Sequence, residues 1–577
     1  MAEAARPPLA SPARLPRLEL PMLVWSAAVV VLGFLVVVPL FWLLLASFQN
    51  DVTGSLTFEN YVFAFTRPIY LEPIRNSFLL ATVVAITATT IGTPLAWLVA
   101  RTDVPGRQLL RPLILAAFVT PSFLGAIAYI FLAAPNSGIL NRLWVAAFHT
   151  ERGPLDIFSL QGCIFVIAIY SIPYTFSLVA GTLELMSSEM EDAATTLGAG
   201  TFRTTFQITL PLALPAIIGG FVLSFLEALE LFGPPAFLLI PARKQVMTTQ
   251  IYLFFSDPIA SRVDVAAAYA MPLLLVTVAL LTLQRRIIGR RRFTTVTGKG
   301  GVRRRMRLGA WRWPLAVLAF TPPTLAVVLP YLALLLVSLS RAWGRSPFAP
   351  GNLGFYWYQW AIFDNSTTRI AVSHSLAYSA AAATIAVIVA TLVAFIVVRT
   401  LVRWAQVLGF VAMAPFVVPG IVLAIGFFAA YTRPPLVLYG TAAILIAAYA
   451  TRFLPIAYSN AQAMLQGINV DLENAARTLG AGRLHSLFEI TIPLLRRGIL
   501  TGWLLVFIPA LRELSASVFL FTPRTHVVTT VIFDFSDAGN YEAVSTMGVL
   551  MMLITFAVVI VAYRLLGREF GRRERVV

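Results

Sequence analysis

Five ionisable side chains lie within, or at the ends of, stretches that are otherwise apolar: Glu227, Glu230, Arg452, Arg512 and Glu513. An ionised group at the centre of a bilayer costs roughly 2.5–3.5 kcal/mol on insertion scales, so such groups turn towards protein, a partner charge or water. Glu230 and Arg512 stand at matching places in two copies of one pattern, described below, and an ion pair between them would close a route between the copies. Glu227 and Glu513 would then supply negative potential for a cation. A buried pair with a purely structural role is the competing reading. Arg452, whose first-copy counterpart is Tyr170, either snorkels towards the membrane face or binds a carboxylate. No catalytic constellation accompanies these charges. The four histidines, His149, His374, His485 and His526, are scattered, and the one cysteine, Cys163, forms neither an intramolecular disulfide nor a cysteine metal site. No catalytic residue, bound cofactor or metal site is expected.

A second constellation occurs twice. One copy runs Glu191-Asp192-Ala193-Ala194-Thr195-Thr196-Leu197-Gly198-Ala199-Gly200, then Phe206-Gln207-Ile208-Thr209-Leu210-Pro211. The other runs Glu473-Asn474-Ala475-Ala476-Arg477-Thr478-Leu479-Gly480-Ala481-Gly482, then Phe488-Glu489-Ile490-Thr491-Ile492-Pro493. The acid and alanines predict a short helix with small residues on its surface. The glycines cost about 1 kcal/mol each inside a helix relative to alanine and suit a turn with positive φ. Phe and Ile predict a second short helix, which Pro211 or Pro493 would end before the next apolar run. Such an elbow is shaped to dock against a partner, and two copies make two docking places.

The elements that position these residues follow from composition. The chain has 577 residues, 59% hydrophobic and 12% charged. Soluble domains run about 45–50% apolar and about 25% charged, so a soluble enzyme, a disordered chain and a secreted disulfide scaffold are excluded. Apolar runs long enough to cross a bilayer lie near 21–47, 76–100, 112–134, 161–185, 212–233 and 265–283. A second six lie near 314–339, 373–398, 406–431, 438–458, 499–521 and 544–563. The first is too long for a signal-peptide core. The expectation is an all-α polytopic membrane protein of about twelve helices in two parallel six-helix repeats. Residues 1–20 form a tail, 21–284 the first domain, 285–313 a basic linker, 314–566 the second domain, and 567–577 a basic tail.

The repeat is visible in residues. Arg101-Thr102 recurs as Arg399-Thr400, and Pro121 as Pro419. The net charge is +17, and the linker region from Arg285 to Arg312 is especially rich in arginine. With both termini inside, the basic residues gather on the inside segments, as retained arginines should. The linker is read as a topogenic segment touching anionic lipid headgroups rather than nucleic acid. Two like halves can build a route along the membrane normal, and a duplicated bundle without a pore is the alternative.

The two elbows resemble the EAA loop of ABC-importer permeases, roughly E-A-A-x(3)-G-x(9)-I-x-L-P. Gly198, Ile208 and Pro211 keep its spacing, as do Gly480, Ile490 and Pro493. Asp192 keeps the acid of the triplet and Asn474 does not. The resemblance implies the type I importer permease fold. It also implies docking of Glu191, Asp192, Ala193, Ala194 and Gly198, and of Glu473, Asn474, Ala475, Ala476 and Gly480, onto two copies of a cytoplasmic ABC ATPase. A G-x(4)-G-K-[ST] phosphate loop is missing from the sequence, so ATP and Mg²⁺ would belong to that partner. A periplasmic or surface substrate-binding protein is the other partner implied, and the bacterial inner membrane the location, with both termini cytoplasmic. Fused permeases of this layout look most like ferric-iron importers, with thiamine or another small cation or organic solute as alternative cargo. The rival from another class is a proton-coupled carrier, which would not need two docking elbows.

Overall fold

The computed structural model describes residues 20–51, 53–186, 189–257, 261–290, 306–345, 349–399, 404–482 and 486–567. Among them, β structure is confined to four isolated bridges. Ten helices are long and apolar enough to cross a membrane. In chain order, the spans of the first half are Trp25–Ser47, Pro68–Arg101, Leu160–Leu185, Thr205–Glu230 and Val263–Gln284. Those of the second half are Gly309–Leu339, Ser366–Val398, Ala442–Gln466, Glu489–Leu511 and Tyr541–Val561.

The expected third and ninth spans are not straight helices. Arg107–Val119 and Ser122–Ala133 meet at 100°, and Ala405–Val417 and Gly420–Tyr431 meet at 113°. The break falls at Thr120-Pro121 and Val418-Pro419. A residue before proline is pushed out of the α region, and both Thr120 (ψ 122°) and Val418 (ψ 115°) are extended. Counted as one span each, the bent pairs complete two sets of six. The second pieces are apolar on every side and largely buried, the pattern of a helix enclosed by protein.

The halves exchange their first spans. Trp25–Ser47 packs on Gly420–Tyr431 of the second half, and Gly309–Leu339 packs on Ser122–Ala133 of the first. Each exchanged span carries a π-helical turn, Gly33–Val37 or Thr324–Val328, directly before a proline-bearing helix. Proline donates no hydrogen bond and crowds the preceding turn; here the turn widens and the helix continues. The π turns offer their carbonyls across the halves. Tyr431 donates to the Phe34 carbonyl, Thr451 to that of Leu35 at 3.0 Å, and Tyr129 to that of Leu325 at 3.0 Å.

Several expected boundaries move; the second, eighth and eleventh spans begin earlier, at Pro68, Ser366 and Glu489, and the tenth runs on to Gln466. The sixth helix continues past Gln284 to Arg290. The fifth span ends at Glu230 and the eleventh at Leu511, short of the expected Gly233 and Phe521. Beyond each, the chain folds back through short helices, Gly233–Leu239 and Met247–Ser256 in one half, Ser517–Leu520 and Val528–Asp537 in the other. Most of the basic linker lies outside the described residues. Its described end is stitched to the C-terminal end of the second span: Met306 exchanges backbone hydrogen bonds with Arg101 and Asp103, and Leu308 N–H donates to the Asp103 carboxylate at 2.9 Å.

Candidate functional site

The fold gathers the intramembrane charges around one cavity of about 410 Å³ between the halves. From the first half it is lined by Thr120, Tyr170, Tyr174, Glu227 and Glu230, and from the second by Arg452, Arg512 and Glu513. Each charge is placed by a helix end or a close packing. Glu227 and Glu230 occupy the last turn of the fifth span. Arg512 caps the eleventh, and Glu513 turns back so that its carboxylate accepts from the Ala516 N–H at 2.9 Å. The turn after each span is fixed in the same way: Thr248 donates to the Leu231 carbonyl and Thr529 to the Glu513 carbonyl, at 3.0 and 2.9 Å.

The ion pair expected between Glu230 and Arg512 does not form. Arg452 takes the place of Arg512: its Nε lies 3.0 Å from Glu513 Oε2 and its Nη2 4.0 Å from Glu230 Oε1. Arg512 instead donates to the backbone carbonyl of Phe118, just before the break in the third span. The reason is geometric. Arg452 projects from the middle of the tenth span between two carboxylates, whereas Arg512, at the end of its helix, faces the bare carbonyls of the broken span. Of the two possibilities for Arg452, the structure shows the carboxylate-bound one. The Arg452–Glu230 contact crosses the halves, while Arg452–Glu513 lies within the second. The walls are therefore unlike. The first-half wall carries two carboxylates, and the second-half wall two guanidiniums and one carboxylate. Glu230 is 26% exposed and Arg452 19%, so the pair faces the cavity rather than a dry core.

The two elbows between the fourth and fifth spans and between the tenth and eleventh are also built alike. Helices Glu189–Thr196 and Val470–Thr478 form them. Gly198 (φ +84°) and Gly480 (φ +92°) take the left-handed turn that glycine permits. The second glycine of each run, Gly200 or Gly482, does not need it. Pro211 and Pro493 do not end the segment as expected. Each follows a π turn, Thr205–Thr209 or Leu487–Thr491, and sits in the first turn of a helix that runs on into the span.

Burial sorts the elbow residues. Asp192, Ala193, Asn474, Ala475, Gly198 and Gly480 are exposed, and Ala194 and Ala476 half-buried. Glu191 and Glu473 turn inward and are buried. Glu191 Oε2 lies 3.5 Å from Arg101 Nη1, and its Oε1 accepts from the Thr209 hydroxyl at 2.8 Å. Glu473 Oε1 lies 2.8 Å from Arg399 Nη2 and accepts from Thr491 at 3.1 Å. The arginines are fixed in turn, Arg101 to the Met186 carbonyl and Arg399 to that of Ile468. Each buried carboxylate thus ties three elements together: the C-terminal end of the second or eighth span, the elbow helix, and the start of the fifth or eleventh. Arg101, Arg399, Thr209 and Thr491 were not singled out as site residues from sequence. The signal was present, because Arg-Thr and the Thr before Leu-Pro or Ile-Pro recur in both copies.

The family model described as "Binding-protein-dependent transport system inner membrane component" matches residues 92–293 and again 402–573. The chain is 24% identical over 536 residues to the ferric transport system permease protein FbpB of Actinobacillus pleuropneumoniae, covering 92% of this chain and 76% of that one. It is 26% identical to a putative ferric transport system permease protein of Haemophilus influenzae, over 80% of this chain and 72% of the relative. It is also 31% identical to the molybdenum transport system permease protein ModB of Escherichia coli, over 34% of this chain and 86% of that one.

Proposed function

Because the chain belongs to the family of binding-protein-dependent transport system inner membrane components, with two copies of the domain in one polypeptide, we propose that it forms the complete membrane route of an importer that carries ferric iron. The chain is an ABC-importer permease of the type I fold, spanning the membrane many times. The work of ATP falls to two copies of a separate ATPase, which dock on the exposed faces of the two elbows around Asp192-Ala193 and Asn474-Ala475. A substrate-binding protein delivers cargo at the opposite face. The elbows and both termini lie on the cytoplasmic side, where the arginine-rich linker stays.

One observation carries the choice of cargo. The relatives named as ferric permeases match across both halves, whereas the molybdenum relative matches about a third of the chain. The cavity between the halves supports it, since the first-half wall carries Glu227 and Glu230. In this reading Arg452 occupies the carboxylates while the route is shut. A cation entering the cavity competes with Arg452 for Glu230, and the cross-half contact parts when ATP-driven closure pulls the elbows together.

Deleting the chain from its host and measuring uptake of radiolabelled ferric iron, thiamine and molybdate tests this reading. Loss of ferric uptake alone, restored by the wild-type chain, is the expected result. Loss of molybdate or thiamine uptake with ferric uptake intact replaces the cargo while leaving the importer. Uptake that persists at full rate in proteoliposomes without an ATPase overturns the importer mechanism.

A further inference from the structure

Gly420 is the first residue of the second piece of the ninth span, and it is buried. A Cβ built on it would lie 1.6 Å from Nη1 of Arg452, 2.3 Å from Cζ and 3.0 Å from Nη2. The three nearest atoms are thus all in the guanidinium head. The missing side chain of Gly420 is the space that the Arg452 head fills. The first half packs its counterpart residue in the same manner: a Cβ on Gly125 would lie 2.2 Å from the Tyr170 ring. Gly125 is one turn further along its helix than Gly420 is along its own, so aligning the copies does not reveal the shared device.

The seat is electrostatically uneasy. Gly420 begins a 12-residue helix, and a helix N-terminus carries partial positive charge that disfavours a nearby cation. The guanidinium stays there because Glu513 and Glu230 hold it, at 3.0 and 4.0 Å. The broken span presses from one side and the carboxylates pull from the other.

We infer that Gly420 is a positioning residue for the contact between the halves: the bare backbone at the break of the ninth span seats Arg452 within reach of Glu230, so that movement of the broken span and release of the contact are one event. The inference rests on the cavity being the route. It assigns the break in the ninth span a role in opening that route.

The test uses the chain assembled with its ATPase, with ATP hydrolysis measured in the absence of binding protein and cargo uptake in its presence. In Gly420→Ala the cheapest relief is a shift of the flexible guanidinium, so the chain should accumulate normally. Idle hydrolysis should rise at least about fivefold, the lower end of ordinary coupling between sites, and uptake should fall. Adding Arg452→Lys, whose ammonium is narrower but keeps the charge, should bring idle hydrolysis of Gly420→Ala back towards that of Arg452→Lys alone. Wild-type hydrolysis and uptake in Gly420→Ala overturn the seat. If Gly420→Ala fails to accumulate, recovery in the double variant supports the seat and continued failure overturns it. Glu230→Gln separates the two ideas. Unchanged uptake there removes the route and this inference with it, whereas altered uptake beside an inert Gly420→Ala removes only the seat.

Discussion

Arg399 sets two nitrogens on one oxygen of Glu473, Nη2 at 2.8 Å and Nε at 2.9 Å. Both side chains are nearly buried, and the Thr491 hydroxyl closes the set. Arg101, Glu191 and Thr209 form a looser counterpart in the other half, with one arginine nitrogen 3.5 Å from Glu191 Oε2 and the Thr209 hydroxyl on Oε1. The elbow is therefore braced from beneath by one carboxylate, while the neighbouring position, Asp192 or Asn474, looks outward. In the first copy the acid of the triplet, Asp192, and the acid that braces the elbow, Glu191, are adjacent residues facing opposite ways.

That division predicts different losses. Removing one partner of a buried ion pair costs about 3–5 kcal/mol, because it strands the other charge. Glu473→Ala should lower the unfolding temperature in detergent and abolish co-purification with the ATPase. Arg399→Ala should do the same, and the double variant should cost little more than either single one. Asn474→Ala should leave the unfolding temperature unchanged. An unfolding temperature that drops equally for Asn474→Ala and Glu473→Ala contradicts the division.

Which parts were legible in the sequence follows from the range of each signal. The repeats, the glycine turns of the elbows and the approximate places of most spans are written in local patterns of about 20 residues and agree with the structure, whereas the helices that continue through Pro211 and Pro493 do not follow from that pattern. The breaks at Pro121 and Pro419 lie inside runs that are apolar throughout. Apolar periodicity does not distinguish a straight span from two pieces at 100°, although the matched prolines were a usable clue. The pairing of Arg452 with Glu230 and Glu513 was not legible. Matching the copies leads to Glu230 facing Arg512, because those positions correspond. But a pseudo-twofold need not bring corresponding residues together. Helix length and the glycine at 420 decide which cation reaches the carboxylate, and both are facts of packing.

A titratable contact lies beside the short helix that joins the last two spans of the second half. In the first half the Asn76 amide donates to the Gln245 carbonyl at 3.1 Å; in the second, the His374 ring meets the His526 carbonyl at the same distance. The His526 ring lies 3.6 Å from Asp534. Burial first, and then Asp537, push the Asp534 carboxyl up to about 6. An acid raised in the fold is penalised wherever it is ionised there, so the penalty is full above about pH 6 and disappears as the pH falls towards the ordinary value of 3.8. Asp534→Asn should therefore raise the unfolding temperature at pH 7.5. The gain should shrink between pH 6.5 and 4.5. Melting curves across that range check it, and a gain that grows on acidification contradicts the sign.

The exchanged first span makes the last prediction. Gly426, in the second piece of the ninth span, lets Trp25–Ser47 come so close that a Cβ there would lie 2.6 Å from the Pro39 carbonyl oxygen and 3.2 Å from its carbon. These are backbone atoms next to the π turn, and unlike the Arg452 head group they cannot swing aside. Extra volume in a packed site costs typically about 1–3 kcal/mol. The Tyr431 and Thr451 hydroxyls that reach the Phe34 and Leu35 carbonyls depend on the same close approach. Gly426→Ala should lower the unfolding temperature and loosen the first span, read as faster hydrogen exchange at residues 33–39. Gly181→Ala, where nothing lies within 4 Å of the added carbon, should do neither. The contrast matters because both glycines are helical and alanine is intrinsically the better helix former at each. Any loss at Gly426 is then due to the contact between the halves, and equal behaviour of the two variants would show that the first span is not held by that contact.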